Sequence, residues 1–257
     1  MNKLFAALQF IRYQWSAKTK YYIHSPFVYQ FFLNVLEPRG DNYNFENILV
    51  LRKSLSNSNA NIHIQDFGSG KSRTEFISTL EKNVAISHKY GQVLSRLTNY
   101  FKPKNILEFG TSIGISSAYI ASGMPQSTIT TIEGAKEIAD FARKNFNQLG
   151  LKNIKIICSP FDDVLPELLT QKRFEMIFFD GNHTKEATLR YFEACVKYVS
   201  PESIFVFDDI YWSREMSEAW EEIKAHPKIT LTIDIYRIGF VFFKKEKLKK
   251  EHFVLRY

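Results

Sequence analysis

Only two cysteines occur in the 257 residues, Cys158 and Cys195. That excludes a disulfide framework and suits a reducing compartment, here expected to be the cytoplasm. No apolar run approaches the roughly 18 residues that a membrane helix needs. Glycine (11) and proline (8) are sparse, and with 45% hydrophobic and 24% charged residues the composition excludes collagen-like, low-complexity and disordered chains. Excess charge is small too. Of the net +7, residues 244–257 carry +4, so the body is only mildly basic and the charged end reads as a solvated terminus. The opening run from Leu4 to Ile11 is interrupted by Gln9, is followed by Arg12, and lacks a small-residue cleavage site. It reads as an amphipathic helix rather than a signal peptide.

What is present divides the chain. Residues 1–60 read as a helical N-terminal extension or lid: a helix over Leu4–Trp15, an aromatic stretch with His24, Phe27 and Tyr29, a turn cluster at Pro38–Asn42 and a polar linker at Ser54–Asn59. From residue 61 on lies the main domain. Strands are expected at Asn105–Phe109, Thr128–Glu133, Ile154–Ser159, Phe174–Asp180 and Ser203–Asp208. Helices alternate with them, the last capped by Ser213. Thr230–Tyr236 and Phe240–Lys244 are too close for a crossover helix, so one of them runs antiparallel. The expected fold is α/β: a Rossmann-like, seven-stranded, mostly parallel sheet with one antiparallel strand and helices on both faces.

The chemistry gathers at strand ends. Glu108-Phe109-Gly110-Thr111-Ser112-Ile113-Gly114 joins a strand to a helix, where Gly110 and Gly114 permit a tight turn and close ligand approach. The segment lacks the G-x-G-x-x-G of a dinucleotide cradle, and an acid precedes its first glycine. Such an acid suits a cationic amino group. Glu133 ends the next strand, where a carboxylate can accept both hydroxyls of a ribose. Asp66-Phe67-Gly68-Ser69-Gly70-Lys71-Ser72 mimics a phosphate loop, but Gln65 stands where that loop needs glycine. It reads as a turn followed by a polar helical stretch.

With these residues the sequence resembles class I S-adenosylmethionine-dependent methyltransferases, particularly the catechol and caffeoyl-CoA O-methyltransferase-like group, from about Ile86 to the C-terminus. Gly91-Gln92-Val93-Leu94 through Glu108-Phe109-Gly110, Ser159-Pro160-Phe161-Asp162-Asp163, Phe178-Phe179-Asp180-Gly181-Asn182-His183 and Phe207-Asp208-Asp209 carry the likeness. The resemblance implies methyl transfer from S-adenosylmethionine to an oxygen of a small molecule. It places Glu108 and Ser116 at the methionine end of the cofactor, Gly110 and Gly114 at close backbone approach, and Glu133 on the ribose. Phe161 and Asp162 would border the adenine, Ile86 would cover the cofactor, and Asp180 would position it.

The resemblance further implies a divalent cation, Mg²⁺ or another, on Asp180, Asp208 and Asp209, with Asp209 in place of the group's asparagine. His183 falls where the group carries a catalytic lysine, so with Asp180 it is the expected acid–base site. An imidazole can serve as a base near neutrality without strong tuning. Tyr211 and Trp212 could wall an acceptor pocket or pack in the core. A nucleic-acid acceptor is disfavoured: there is no Asn-Pro-Pro-aromatic segment and no Pro-Cys nucleophile. A non-catalytic binding role and a homodimer stay open as alternatives.

Overall fold

Short runs of β-branched and aromatic residues alternate with amphipathic stretches of ten or more residues, and the computed structural model follows that rhythm. It describes residues 3–37, 45–65, 72–245 and 249–257. The pseudo-phosphate loop over 66–71 and the turn at 38–42 lie outside them. In chain order the elements are α1 (Lys3–Ser16), α2 (Pro26–Phe31), α3 (Glu46–Ser56), β1 (Asn61–Gln65), β2 (Ser72–Phe76), α4 (Ile77–Asn83), α5 (His88–Phe101), β3 (Asn105–Phe109) and α6 (Ile115–Gly123). There follow β4 (Thr128–Glu133), α7 (Lys136–Gln148), β5 (Ile154–Cys158), α8 (Phe161–Gln171), β6 (Met176–Phe179), α9 (Lys185–Cys195) and β7 (Ile204–Phe207). The chain closes with α10 (Arg214–Ala225), β8 (Leu231–Asp234), β9 (Gly239–Phe242) and β10 (Glu251–Val254).

Two compact units form, one of Asn34–Leu168 and one of Met1–Leu33 with Leu169–Tyr257. In the first, β3, β4 and β5 pair in parallel, Phe109 opposite Ile132 and Glu133 opposite Cys158. Parallel strands buried on both faces need near-continuous apolar runs, and β3 and β4 supply Ile106, Leu107, Phe109, Ile129 and Ile132, each fully buried. The expected strand boundaries hold here to within one residue. An antiparallel strand pair was not expected here: β1 pairs with β2, so the stretch after Lys71 opens as a strand before turning helical at Ile77. Its polar residues hide the period-two alternation that marks strands.

In the second unit the order is β10-β8-β9-β7-β6. β9 runs antiparallel to both β7 and β8, as the short connection requires. The pleat sorts its phenylalanines. Phe240 and Phe242 share one face with Ile204 and Val206, and Phe27 and Phe31 cover it, their rings 5.1 and 5.0 Å from Phe242 and Phe240. The aromatic N-terminal stretch thus packs as core at these two positions. Phe205 and Phe207 take the other face, under Phe192 of α9 and Trp220 of α10. Gly239 shares that face because Trp220 lies where a Cβ would be, 2.6 Å away. Ser213 caps α10 as expected, its hydroxyl accepting from the Met216 amide. One strand exceeds the expected seven: β10 pairs in parallel with β8. The charged end is therefore not simply solvated; Lys250 donates to the Ala225 and His226 carbonyls at the end of α10.

Candidate active site

Each unit carries one group of the expected site residues. In the Asn34–Leu168 unit the group forms where β3 and β4 end. Gly110 (φ 88°), Ser112 (φ 48°) and Gly114 (φ 84°) all adopt left-handed backbone, so the chain reverses within five residues. Gly114 has a second reason to be glycine: a Cβ there would sit 2.5 Å from the Phe146 ring. Glu133 ties two turns together. One carboxylate oxygen accepts from the Ser112 amide at 2.9 Å and the other from the Ala135 amide at 3.0 Å.

Glu108 lies deeper, with no exposed surface. Ser117 donates to its Oε2, while Oε1 is buried with no hydrogen-bond partner among the described residues. Such an orphaned acceptor suits a cationic donor supplied by a ligand. Burial pushes the Glu108 carboxyl up, and the Glu133 charge adds to this; the hydroxyls of Ser117, Ser116 and Thr131 oppose it. Because the folded pKa exceeds the unfolded one, the native state holds this proton longer as pH rises. Stability is therefore lost as pH climbs from about 4.5 toward the folded value. Glu108→Gln should flatten that fall, checked by melting temperature against pH without ligand.

Three further expected residues sit in the same unit. The Phe161 and Phe109 rings meet edge to face at 5.3 Å, and Asp162 stands exposed in the first turn of α8. Ile86 is 2% exposed, and its carbonyl accepts from Arg52 at 2.6 Å. Arg52 also binds Glu81 at 2.9 Å, so the segment before α5 is pinned. Arg52 had no sequence signal, because its partners lie 29 and 34 residues away.

The second group lies in the other unit, where β6 and β7 end. Register places Phe179 opposite Phe207, and Asp180 and Asp208 follow those residues. Asn182 (φ 53°) and Asp209 (φ 54°) adopt left-handed backbone, which short polar side chains tolerate best. His183 Nε2 lies 3.6 Å from Asp180 Oδ1. Burial lowers the imidazole's pKa; Asp208 opposes the shift and Arg237 adds to it. The downward shift favours the neutral imidazole, the form that can accept a proton. Tyr211 donates to Asp234 and packs on Tyr236, whereas Trp212 keeps 43% of its surface.

The largest departure from the expected site is Arg237. Its Nη2 binds Asp208 Oδ2 at 2.9 Å, its Nε binds Asp208 Oδ1 at 3.0 Å, and Nε lies 3.4 Å from Asp209 Oδ1. The pair is a two-toothed guanidinium–carboxylate clamp on a carboxylate that is 1% exposed. Burial pushes the Asp209 carboxyl up to about 7, Asp208 adds to that, and Arg237 opposes it. Burial alone would lower the Arg237 pKa, but Asp208, Asp209 and Asp180 outweigh it and raise it further.

This arrangement differs from the implied metal triad. Asp208 spends both oxygens on the guanidinium, and a divalent ion there would meet a fixed positive charge. Asp180, Asp208 and Asp209 as arranged do not fit such an ion. No group of three or more His, Cys, Asp or Glu among the described residues could hold one. Geometry explains how Arg237 arrives. It occupies the tip between β8 and β9, where the Ile235 amide donates to the Ile238 carbonyl at 3.0 Å and closes the turn. Tyr236 before it takes φ 75°, a strained value for a bulky residue. The register Phe207↔Gly239 carries that tip to the end of β7, and the Ile210 amide donates to the Arg237 carbonyl at 3.2 Å. The signal available in the sequence was the antiparallel pairing itself.

Glycine turn, buried acid and strand-end carboxylate thus gather where β3 and β4 end in a Rossmann-like fold. Residues 107–210 match the family described as "Methyltransferase domain". The chain is 30% identical over 131 residues to a catechol O-methyltransferase of Niastella koreensis, covering 49% of this chain and 58% of that one. It is 27% identical over 129 residues to a catechol O-methyltransferase of Mycobacterium tuberculosis, covering 49% and 57%. The match thus spans somewhat over half the length of these relatives. An O-methyltransferase from Bacillus cereus, solved in complex with SAH, has a similar fold: TM-score 0.57 and 22% identity over 84% of this chain and 96% of that one. Over residues 107–210 the chain is similar to methyltransferase domains, and over about half its length to these catechol O-methyltransferases.

Proposed function

We propose that the protein transfers a methyl group from S-adenosylmethionine to an oxygen of a small hydroxylated molecule, without a divalent cation. The observation that carries this reading is the Glu108–Gly110–Gly114–Glu133 group, in which a buried acceptor lacks a partner and a strand-end carboxylate joins two turns. When bound, the cofactor supplies a methyl group already activated on a sulfonium. Glu108 Oε1 accepts a hydrogen bond from the amino group. Glu133 accepts from the ribose hydroxyls, a carboxylate having about four acceptor sites in all. Gly110 and Gly114 let the backbone come close, Ile86 covers the cofactor, and Phe161 borders the base.

The acceptor proton is taken by His183, whose pKa burial lowers and whose Nε2 lies 3.6 Å from Asp180 Oδ1. Arg237 supplies the positive charge beside Asp208 and Asp209 that the related group assigns to a metal. An acceptor oxygen becomes nucleophilic as its proton leaves, and a fixed cation favours that anionic form.

Calorimetric titration of the full chain with S-adenosylmethionine and with S-adenosylhomocysteine tests the cofactor assignment. Micromolar binding, equal with Mg²⁺ and with EDTA, is the expected result; no binding to either compound would sink the reading. A mass-spectrometric screen of phenolic acceptors follows. Turnover should survive EDTA, and kcat/KM should fall on the acid side as His183 takes up a proton. His183→Ala should lose about 10²–10⁴-fold in kcat with cofactor affinity unchanged. Full turnover in that variant would remove His183 from the mechanism.

A further inference from the structure

One helix, α1, carries apolar side chains on its exposed face as well as its buried one. The inner face of α1 is well satisfied. Tyr13 is 4% exposed and donates to the Leu255 carbonyl at 2.7 Å, Phe10 meets the Tyr236 ring at 5.1 Å, and the Ala6 carbonyl accepts from Tyr236. The outer face carries Leu4 (70% exposed), Leu8 (50%), Ile11 (49%) and Trp15 (88%). Their spacing of four, three and four places them in one stripe along the helix. Tyr21 and Tyr22 follow just beyond, 82% and 66% exposed. Scattered exposed apolar residues need no account, but a continuous stripe marks an interaction surface.

Charge identifies what the stripe meets. Residues 1–36 contain no Asp or Glu, but hold Lys3, Arg12, Lys18 and Lys20. Arg12 and Lys18 are exposed on or just after α1. Arg256 joins them from the C-terminal segment, donating to the Gln14 carbonyl at 3.2 Å. An apolar helical stripe bordered by basic side chains and by Trp and Tyr is the pattern of an interfacial helix: apolar groups enter the acyl boundary, amphipathic rings sit at headgroup depth, and cations meet anionic lipid. A second copy of the chain on this face would bring the same cations together with no acid in the first 36 residues to offset them. A nucleic acid would pair with the cations but leave the stripe uncovered.

We propose that α1 and the Tyr21–Tyr22 turn seat the protein on the surface of an anionic membrane, as a peripheral attachment. No helix among the described residues is long and apolar enough to cross a bilayer, so the binding would be in the plane of the interface. The proposal is independent of the catalytic reading.

Co-sedimentation of the full chain with vesicles tests it, using phosphatidylcholine alone and phosphatidylcholine with about one third phosphatidylglycerol, at low and at high salt. Expected are binding to the anionic vesicles at least about tenfold tighter than to neutral ones, and weakening as salt screens the charges. Leu8→Glu and Trp15→Glu, both on the solvent side of α1, should each lose about tenfold while keeping the wild-type melting temperature. Absence of an anionic preference, or retention by both variants, would overturn the proposal. So would a dimer in sedimentation velocity without lipid that Leu8→Glu dissolves, since a second copy would then be the occupant.

Discussion

Glu133→Ala should weaken S-adenosylmethionine binding by at least about a hundredfold. A hydrogen bond to a charged acceptor contributes about 1.5–3 kcal/mol, and two ribose hydroxyls on one carboxylate make about 3–6 kcal/mol, or roughly 10²–10⁴ in affinity. The alanine variant also frees the Ser112 and Ala135 amides, which loosens both turns before any ligand arrives. Glu133→Gln separates the two effects: it keeps one acceptor oxygen and should lose less than alanine does. Calorimetry gives the affinities, and a melt without ligand reports the loosening. An alanine variant that binds within a few-fold of wild type would show that Glu133 only braces the turns and that the ribose lies elsewhere.

Arg237→Ala should be the most destabilising single change in the acidic group. Removing one partner of a buried ion pair leaves the other uncompensated, at about 3–5 kcal/mol. Arg237 keeps 27% of its side-chain surface, and solvent screening puts the expected loss near the low end, about 3 kcal/mol. For a chain of this size that lowers the melting temperature by roughly 6–12 °C. Asp208→Asn in the same background should recover most of the loss, because it removes the stranded charge. Arg237→Ala alone should also gain a sensitivity to Mg²⁺ beyond that of the wild type, its melting temperature rising with the ion. A variant that melts like the wild type would show that the clamp on Asp208 carries little stability, and one indifferent to Mg²⁺ would show that the carboxylates are not poised to hold an ion even when released.

Sequence and structure agree best where the physics is local. The turn after β3 was legible because its constraint falls within a few residues: glycine where the backbone must be left-handed, and a carboxylate at the end of each neighbouring strand. Parallel strands in a buried sheet are apolar throughout, so β3 and β4 announced themselves, as did the Ser213 cap three residues before the amide it serves. The pieces that escaped depend on distant residues or on polar strands. β10 is hidden in a lysine-rich tail and is fixed by pairing with β8, about twenty residues earlier. The antiparallel strands β1 and β2 are rich in polar residues, which erase the alternation. Arg52 and Arg237 matter through partners 29 or more residues away. For Arg237 the partner follows only once the antiparallel register of β7 and β9 is known. The triad of aspartates was read from position along the chain, which gives no warning that a cation from another strand pair has come to meet them.

The hairpin that carries Arg237 changes what kind of dependence the acidic group has on its surroundings. A bound ion is an exchangeable component: it can be withdrawn by a chelator, replaced by a competing metal, or run short in the cell. A guanidinium at a β-turn is made with the chain, in a fixed ratio of one, and stays charged across the whole biological pH range. Its supply cannot fail, and its identity cannot be swapped. What is given up is adjustability, since such a charge cannot be raised from one to two or withdrawn by the environment. The strained backbone at Tyr236 is the conformational cost of building that permanence into the fold.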